Sequence, residues 1–208
     1  MRNAQAGWIA GAAAALLVAV GTITYAVAGD GGSGGGVPAA GSADAGFARD
    51  MAVHHQQAVE MSYIVRDRTD DEEVRRLAYD IAQTQANQRG MLLGWLDLWE
   101  LPKVSSDPMD WMGMGGMASG EDGALMPGMA TDAELDRLGR LDGRQAEVFY
   151  LQLMTDHHRG GVHMAEGCAD RCTVEVEKRL ARGMVEGQQS EIGLMADMLA
   201  ERGARARE

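Results

Sequence analysis

The chain repeats itself. Slid along its own length by 103 positions, the sequence places a His-His doublet on a His-His doublet, and the surrounding pattern recurs without a gap. Phe47 meets Tyr150, Met51 meets Met154, His54 and His55 meet His157 and His158, and Met61 meets Met164. The register continues into the next segment: Leu77 meets Leu180, Ala78 Ala181, Ile81 Met184, Gln85 Gln188, Gln88 Glu191 and Leu96 Leu199. Self-similarity over roughly 50 residues marks one supersecondary unit used twice. Any fold must therefore be built from two like halves.

The unit is helical. Phe47, Met51, His54, Ala58, Met61 and Val65 alternate spacings of three and four, as do Tyr150, Met154, His157, Gly161, Met164 and Cys168. Each set makes one inward stripe on a helix. A second stripe follows in each copy: Ile81, Gln85, Gln88, Leu92, Trp95 and Trp99, then Met184, Gln188, Glu191, Met195 and Met198. Asp44 is placed to cap a helix running to about Arg68. Thr69 with Glu72 reads as a capping box for a helix reaching about Glu100, stopped by Pro102. Thr131 with Glu134 opens a short helix, and Asp142 caps a long one ending near Cys168 to Asp170. The last helix is expected from about Thr173 to Arg202. The expectation is all-α: a four-helix bundle made from a duplicated hairpin over residues 44 to 203.

Residues 1 to 28 stand apart. Arg2 precedes an apolar run from Gly7 to Ala28 that ends in Ala26-Val27-Ala28. That is either a cleaved signal peptide or an uncleaved membrane anchor. Both place the rest of the chain outside the cytoplasm, secreted or held to the membrane by this helix. Residues 29 to 43, rich in Gly, Ser and Ala, read as a flexible tether. The chain has 31 acidic and 19 basic residues, a balance that repels nucleic acid. In an oxidising compartment Cys168 and Cys172 default to a disulfide. Side chains at i and i+4 do not close easily within a regular helix, so the pair is expected where a helix ends. A Cys-x3-Cys copper or zinc clamp is the alternative.

The doublets carry the chemistry. The stripes place His54 and His157 inside the bundle, with His55 and His158 about 100° round, at the stripe's edge. Met51, Met61, Met154 and Met164 bracket them. Neutral imidazole with thioether suits copper, Cu(I) above all, better than magnesium, calcium or manganese. Gln85, Gln88, Gln188 and Glu191 sit where a core wants apolar groups. The economical account is that they hydrogen-bond and orient the histidines. The connection over residues 102 to 130 holds Met109, Met112, Met114, Met117, Met126 and Met129 among glycines that oppose a helix. The first four could gather thioethers round one Cu(I); the alternative is a linker with incidental methionines. His163, opposite Glu60 in the repeat, reads as a surface residue or an extra ligand.

No histidine has a glutamate three residues before it, which excludes the Glu-x-x-His di-iron pattern. A serine elbow, a phosphate-cradling glycine loop and a His-Glu-x-x-His motif are also absent. The chain is read as a non-enzyme.

Met51-Ala-Val-His54-His55-Gln-Gln-Ala58-x-x-Met61 is one half of a further signature. The other half is Met126-Pro-Gly-Met129 leading through Glu134-Leu135 to Phe149-Tyr-Leu-x-Leu-Met154-x-x-His157-His158-Arg-Gly-Gly-x-x-Met164. Together they resemble the bacterial family called domain of unknown function 305, over about residues 44 to 200. The resemblance implies a ferritin-like four-helix protein, typically exported, some members being periplasmic copper-binding proteins. It marks His54, His55, His157, His158, Met51, Met61, Met154 and Met164 as ligand positions. The expectation is an extracytoplasmic protein that binds, sequesters or hands over copper, with a homo-oligomer or a copper-handling protein as its partner. The rival is a structural or interaction module whose His/Gln layer only specifies the bundle.

Overall fold

A computed structural model describes residues 36–115 and 121–207. The apolar run of residues 7 to 28, residues 29 to 35 of the tether, and Met117 lie outside them. Among the described residues there is no strand, and no helix is long and apolar enough to cross a membrane. Four long helices carry the fold: α1 (Ala43–Arg66), α2 (Glu72–Leu98), α4 (Gly143–Arg171) and α5 (Glu175–Glu201). A short α3 (Asp132–Arg140) precedes α4. α1 packs on α2 and α4 on α5, and the α1–α4 contact joins the hairpins. The duplicated-hairpin bundle is the observed architecture.

Several caps differ from the sequence expectation. Ser42, not Asp44, caps α1, its hydroxyl accepting from the Ala45 N–H at 3.2 Å. Asp44 instead reaches across the bundle and accepts from the N–H groups of Thr173 (2.7 Å) and Val174 (2.8 Å), where α5 begins. Asp71 caps α2 in place of the Thr69/Glu72 box. Thr69 accepts from the Asp71 N–H and donates to Glu147 at 2.6 Å. The Thr131/Glu134 capping box is present, whereas Asp142 stands at the start of α4 without a side-chain cap bond. In α2 the buried line runs through Leu92 and Leu96; Trp95 and Trp99 are only partly buried and stack on each other.

The core is two apolar clusters. One gathers Met61, Ile81, Tyr150, Met154, Met195 and Leu199; the other gathers Phe47, Met51, Leu92, Met164 and Met184. Burial of such side chains, at about 25 cal/mol per Å², is the main force holding the hairpins together. The connection joins the second cluster. Met109 and Met126 are buried there, with Met112, Met114 and Met129 packed against it. Asp50 anchors this segment, accepting from the Met109 N–H at 2.8 Å and the Trp111 indole at 2.9 Å. Trp111 lies against Gly46, and Met112 against Gly167.

The connection then crosses the repeat at positions where the copies differ. In the first copy, Gln57 donates to the Ala130 carbonyl and accepts from its N–H, at 2.8 and 2.7 Å. Its counterpart in the second copy is Gly160, and here the loop backbone lies on the helix itself. A Cβ at 160 would stand 1.9 Å from the Pro127 carbonyl oxygen. Gly128, at φ +79°, makes the turn that permits this.

The two ends of the bundle also differ. At one, Glu147 receives Arg202 at 2.8 Å, and Arg202 also reaches Asp71 at 2.9 Å. At the other, Asp44 faces Glu177, which is 0% exposed. Burial, then the Asp44 charge, push the Glu177 carboxyl up to about 9. Beside it Cys168 and Cys172 form a disulfide. As expected, the pair lies where α4 ends: Cys172 is already extended, at ψ 151°. Beyond α5 the tail is tied down, Arg207 bridging Asp156 (2.7 Å) and Glu134 (2.5 Å).

Two glycine substitutions should behave oppositely. Gly160→Ala forces a methyl into the Pro127 carbonyl and should lower stability to urea by about 1–3 kcal/mol. Gly90→Ala, with nothing near its Cβ position, should raise it by up to about 1 kcal/mol. Equal gains from both would show that the loop is not seated on α4.

Candidate metal centre

Four imidazoles fill the layer between the apolar clusters. His54, His55, His157 and His158 are all 0% exposed. This corrects the expectation for His55 and His158: the layer encloses both rings of each doublet. His54 and His157, equivalent in the repeat, face each other with ring centroids 3.8 Å apart and planes 31° off parallel.

Each ring uses Nε2 in the same way. His157 donates to the His54 carbonyl at 3.0 Å, and His54 to the Pro127 carbonyl at 3.2 Å. His55 donates to Gln88 Oε1 at 2.9 Å, and His158 to Glu191 Oε2 at 2.7 Å. A carbonyl or carboxylate can only accept, so the proton of each ring sits on Nε2 and Nδ1 keeps a bare lone pair. None of the four Nδ1 atoms has a hydrogen-bond partner, although all are buried. Buried acceptors without donors are costly, and four alike in one layer are not an accident of packing.

Burial is also the first cause of the low basicity of three rings. It holds His54 near 4 and His55 near 3, and keeps His157 well below the ordinary 6.5. Neighbouring imidazoles add to the shift in each of the three, since a second positive charge so close is unfavourable. At neutral pH these three rings are uncharged, the form that ligates a metal.

The supporting residues fall into two groups. Gln88 and Glu191 meet the second histidine of each doublet, as the sequence implies. Gln85 and Gln188 do not bond a histidine: both amide ends of Gln85, and Oε1 of Gln188, are buried without partners. Gln188 takes the space that Gly161 leaves, its Oε1 2.3 Å from where a Cβ would stand. Met51, Met61, Met154 and Met164 are each 0% exposed, Met61 and Met154 on one side of the layer, Met51 and Met164 on the other. His163 is exposed.

Sequence reasoning missed the Pro127 carbonyl, since loop backbone carries no side-chain signal. It also missed Glu177, although the repeat sets that glutamate against Val74 and so displays it.

The neutral rings impose a pH dependence on the metal-free protein. Their folded pKa values lie below the unfolded value of about 6.5, so between these limits the unfolded chain binds more protons. Stability is then complete above about pH 6.5 and falls on acidification, by about 1.4 kcal/mol per pH unit for each neutral ring. Urea midpoints should drop steadily from about pH 7 to about pH 5; a flat profile would mean the rings are not held neutral.

The comparisons with known proteins come from structures and from a family model. The chain is 78% identical to a protein of the DUF305 family from Streptomyces coelicolor, described as secreted. That match covers 82% of this chain and 99% of that one, at a TM-score of 0.76. A DUF305 fragment from Deinococcus radiodurans is 31% identical over 76% of this chain and 96% of its own, at TM-score 0.63. CopM in its Cu(I)-bound form is 20% identical, covering 76% of this chain and 96% of its own, at TM-score 0.56, a likeness of fold. Among curated proteins none matches. The family model, described as a domain of unknown function, DUF305, matches residues 44–199, and the chain belongs to that family.

Proposed function

We propose that this is an extracytoplasmic copper-binding protein that buffers, sequesters or hands over copper, and that it is not a catalyst. One observation carries the reading: four buried imidazoles, all donating through Nε2 and all presenting an unused Nδ1 lone pair. A ligating histidine commonly donates its other ring nitrogen to a carbonyl or carboxylate, and this layer has that arrangement. The buried thioethers on either side make the donor set soft, which favours copper over hard cations. CopM, a distant relative in fold, is described in Cu(I)-bound and Cu(II)-bound forms. The description of the Streptomyces relative as secreted supports the location, as does the apolar N-terminal run.

Imidazole serves Cu(I) or Cu(II), whereas thioether alone holds Cu(I). The double variant His54→Ala/His157→Ala should therefore lose tight Cu(II) binding. It also strips the Pro127 carbonyl of its side-chain donor, at roughly 1–3 kcal/mol for a group left unsatisfied. Binding is thus to be read in variants shown by circular dichroism to stay helical. Changing Met109, Met112, Met114 and Met117 to Leu should leave Cu(II) unchanged and lower Cu(I) stoichiometry in competition with a Cu(I) chelator. A folded double-His variant that holds Cu(II) as tightly as wild type would leave the layer a structural device that sets the bundle's register.

A further inference from the structure

The disulfide end of the bundle holds a second group of potential ligands, unrelated to the imidazole layer. The Sγ atoms of Cys168 and Cys172 and a carboxyl oxygen of Glu177 all lie within 4.8 Å of one another. All three residues are buried, at 0%, 3% and 0% exposure.

The repeat supplies a control within the same molecule. In the first copy these positions are Val65, Thr69 and Val74, buried as well. The fold is thus satisfied there by two valines and a threonine, and nothing in helix packing asks for sulfur or a carboxyl. The second copy has two soft ligand atoms and a hard one instead.

Charge is the second observation. At the equivalent end, Glu147 is neutralised by Arg202. The repeat partner of Arg202 is Trp99, so no guanidinium is supplied to Glu177 and Asp44. Among the described residues neither carboxyl makes an ion pair, and the Glu177 carboxyl has only the Asp44 carboxyl to share a hydrogen bond with. Asp44 accepts from Thr173 and Val174 and contributes only more negative charge. With no cation beside them, the two carboxyls are accommodated by Glu177 keeping its proton next to Asp44, and ionising both would be costly. A divalent ion bound by the adjacent sulfurs would take the place of that proton on Glu177.

We propose that Cys168, Cys172 and Glu177 form a reduction-gated binding site for a thiolate-binding divalent cation of the Zn2+ class. In the oxidised protein the sulfurs are bonded to each other and the site is closed. A dithiol reductant opens it: two electrons and two protons pass to the pair, the S–S bond breaks, two S–H bonds form, and the reductant becomes a disulfide. Binding then displaces the ligand protons, leaving two thiolates and a carboxylate on the ion. Zinc takes this mixed set, with Zn–S about 2.3 Å and Zn–O about 2.0–2.2 Å. The carboxylate argues against Cu(I), which is matched to sulfur and imidazole. Cys172 closes α4 beside exposed Arg171 and Thr173, so a reductant approaches through the turn.

The test uses the full chain, oxidised and reduced, titrated with Zn2+ and with Co2+ as a spectroscopic stand-in. The reduced protein should bind one more equivalent of Zn2+ than the oxidised protein, and its Co2+ form should show a thiolate-to-metal charge-transfer band. Glu177→Gln keeps both thiols and the side-chain shape, and should weaken Zn2+ by about tenfold or more, as loss of metal-site groups does. The triple variant Cys168→Val/Cys172→Thr/Glu177→Val copies the first half of the chain. It should stay folded and lose both the extra equivalent and the band. The proposal is overturned if reduced, folded protein with two titratable thiols gains no Zn2+, if it gains Cu(I) alone, or if Glu177→Gln binds Zn2+ as tightly as wild type. Loss of helix on reduction alone would also overturn it.

Discussion

The arrangement of four buried imidazoles in one layer depends on which ring nitrogen makes the hydrogen bond. Each ring gives its Nε2–H to an oxygen that can do nothing but accept. These four bonds set tautomer and orientation together, and they tie together parts of the chain remote in sequence. The His157 bond runs from α4 to the backbone of α1, and the His54 bond from α1 to the long connection. The other two stay inside a hairpin, Gln88 serving His55 and Glu191 serving His158. The helix packing, the path of the loop and the unpartnered Nδ1 atoms therefore rest on one choice of ring nitrogen.

Duplication explains the symmetry of the layer, and the departures from symmetry explain the rest. The loop can cross only one copy, and there Gly160 replaces Gln57 so that backbone can lie on helix. One bundle end closes on a guanidinium between carboxylates; the other closes on a disulfide and a pair of carboxyls with no guanidinium between them. Each difference is local because helix register is common to both halves. A side chain can change at one end without a matching change at the other.

Much of this was legible in the residues. The 103-position register identified the hairpin, the inward stripes and the doublets, because helical periodicity and a rare dipeptide are both local signals. Gln88 and Glu191 could be placed beside histidines because a buried amide or carboxylate demands a partner. What escaped was decided by long-range geometry. Asp44 precedes a helix as a cap would, yet Ser42 takes that duty and Asp44 reaches a different helix. Thr69 has the spacing of a capping box, but Asp71 is nearer the first free N–H groups and Glu147 claims the hydroxyl. Gln85 and Gln188 lie on the same stripe as residues that meet histidines, one turn too early to reach them. The full burial of His55 and His158 follows from the closeness of four helices, which no single helical wheel contains.

The chain-order of these contacts has a kinetic side. Pairing α1 with α2 joins neighbours in sequence, as does pairing α4 with α5, whereas the meeting of α1 with α4 closes a loop of about a hundred residues and is intrinsically the slower event. The His55–Gln88 pair is therefore complete once the first hairpin zips up, before that hairpin docks on the second. The His54–His157 stack, and the backbone bond between them, exist only after both hairpins dock and the connection is laid over the join. The layer thus matures in two stages, the outer rings with each hairpin and the central pair last.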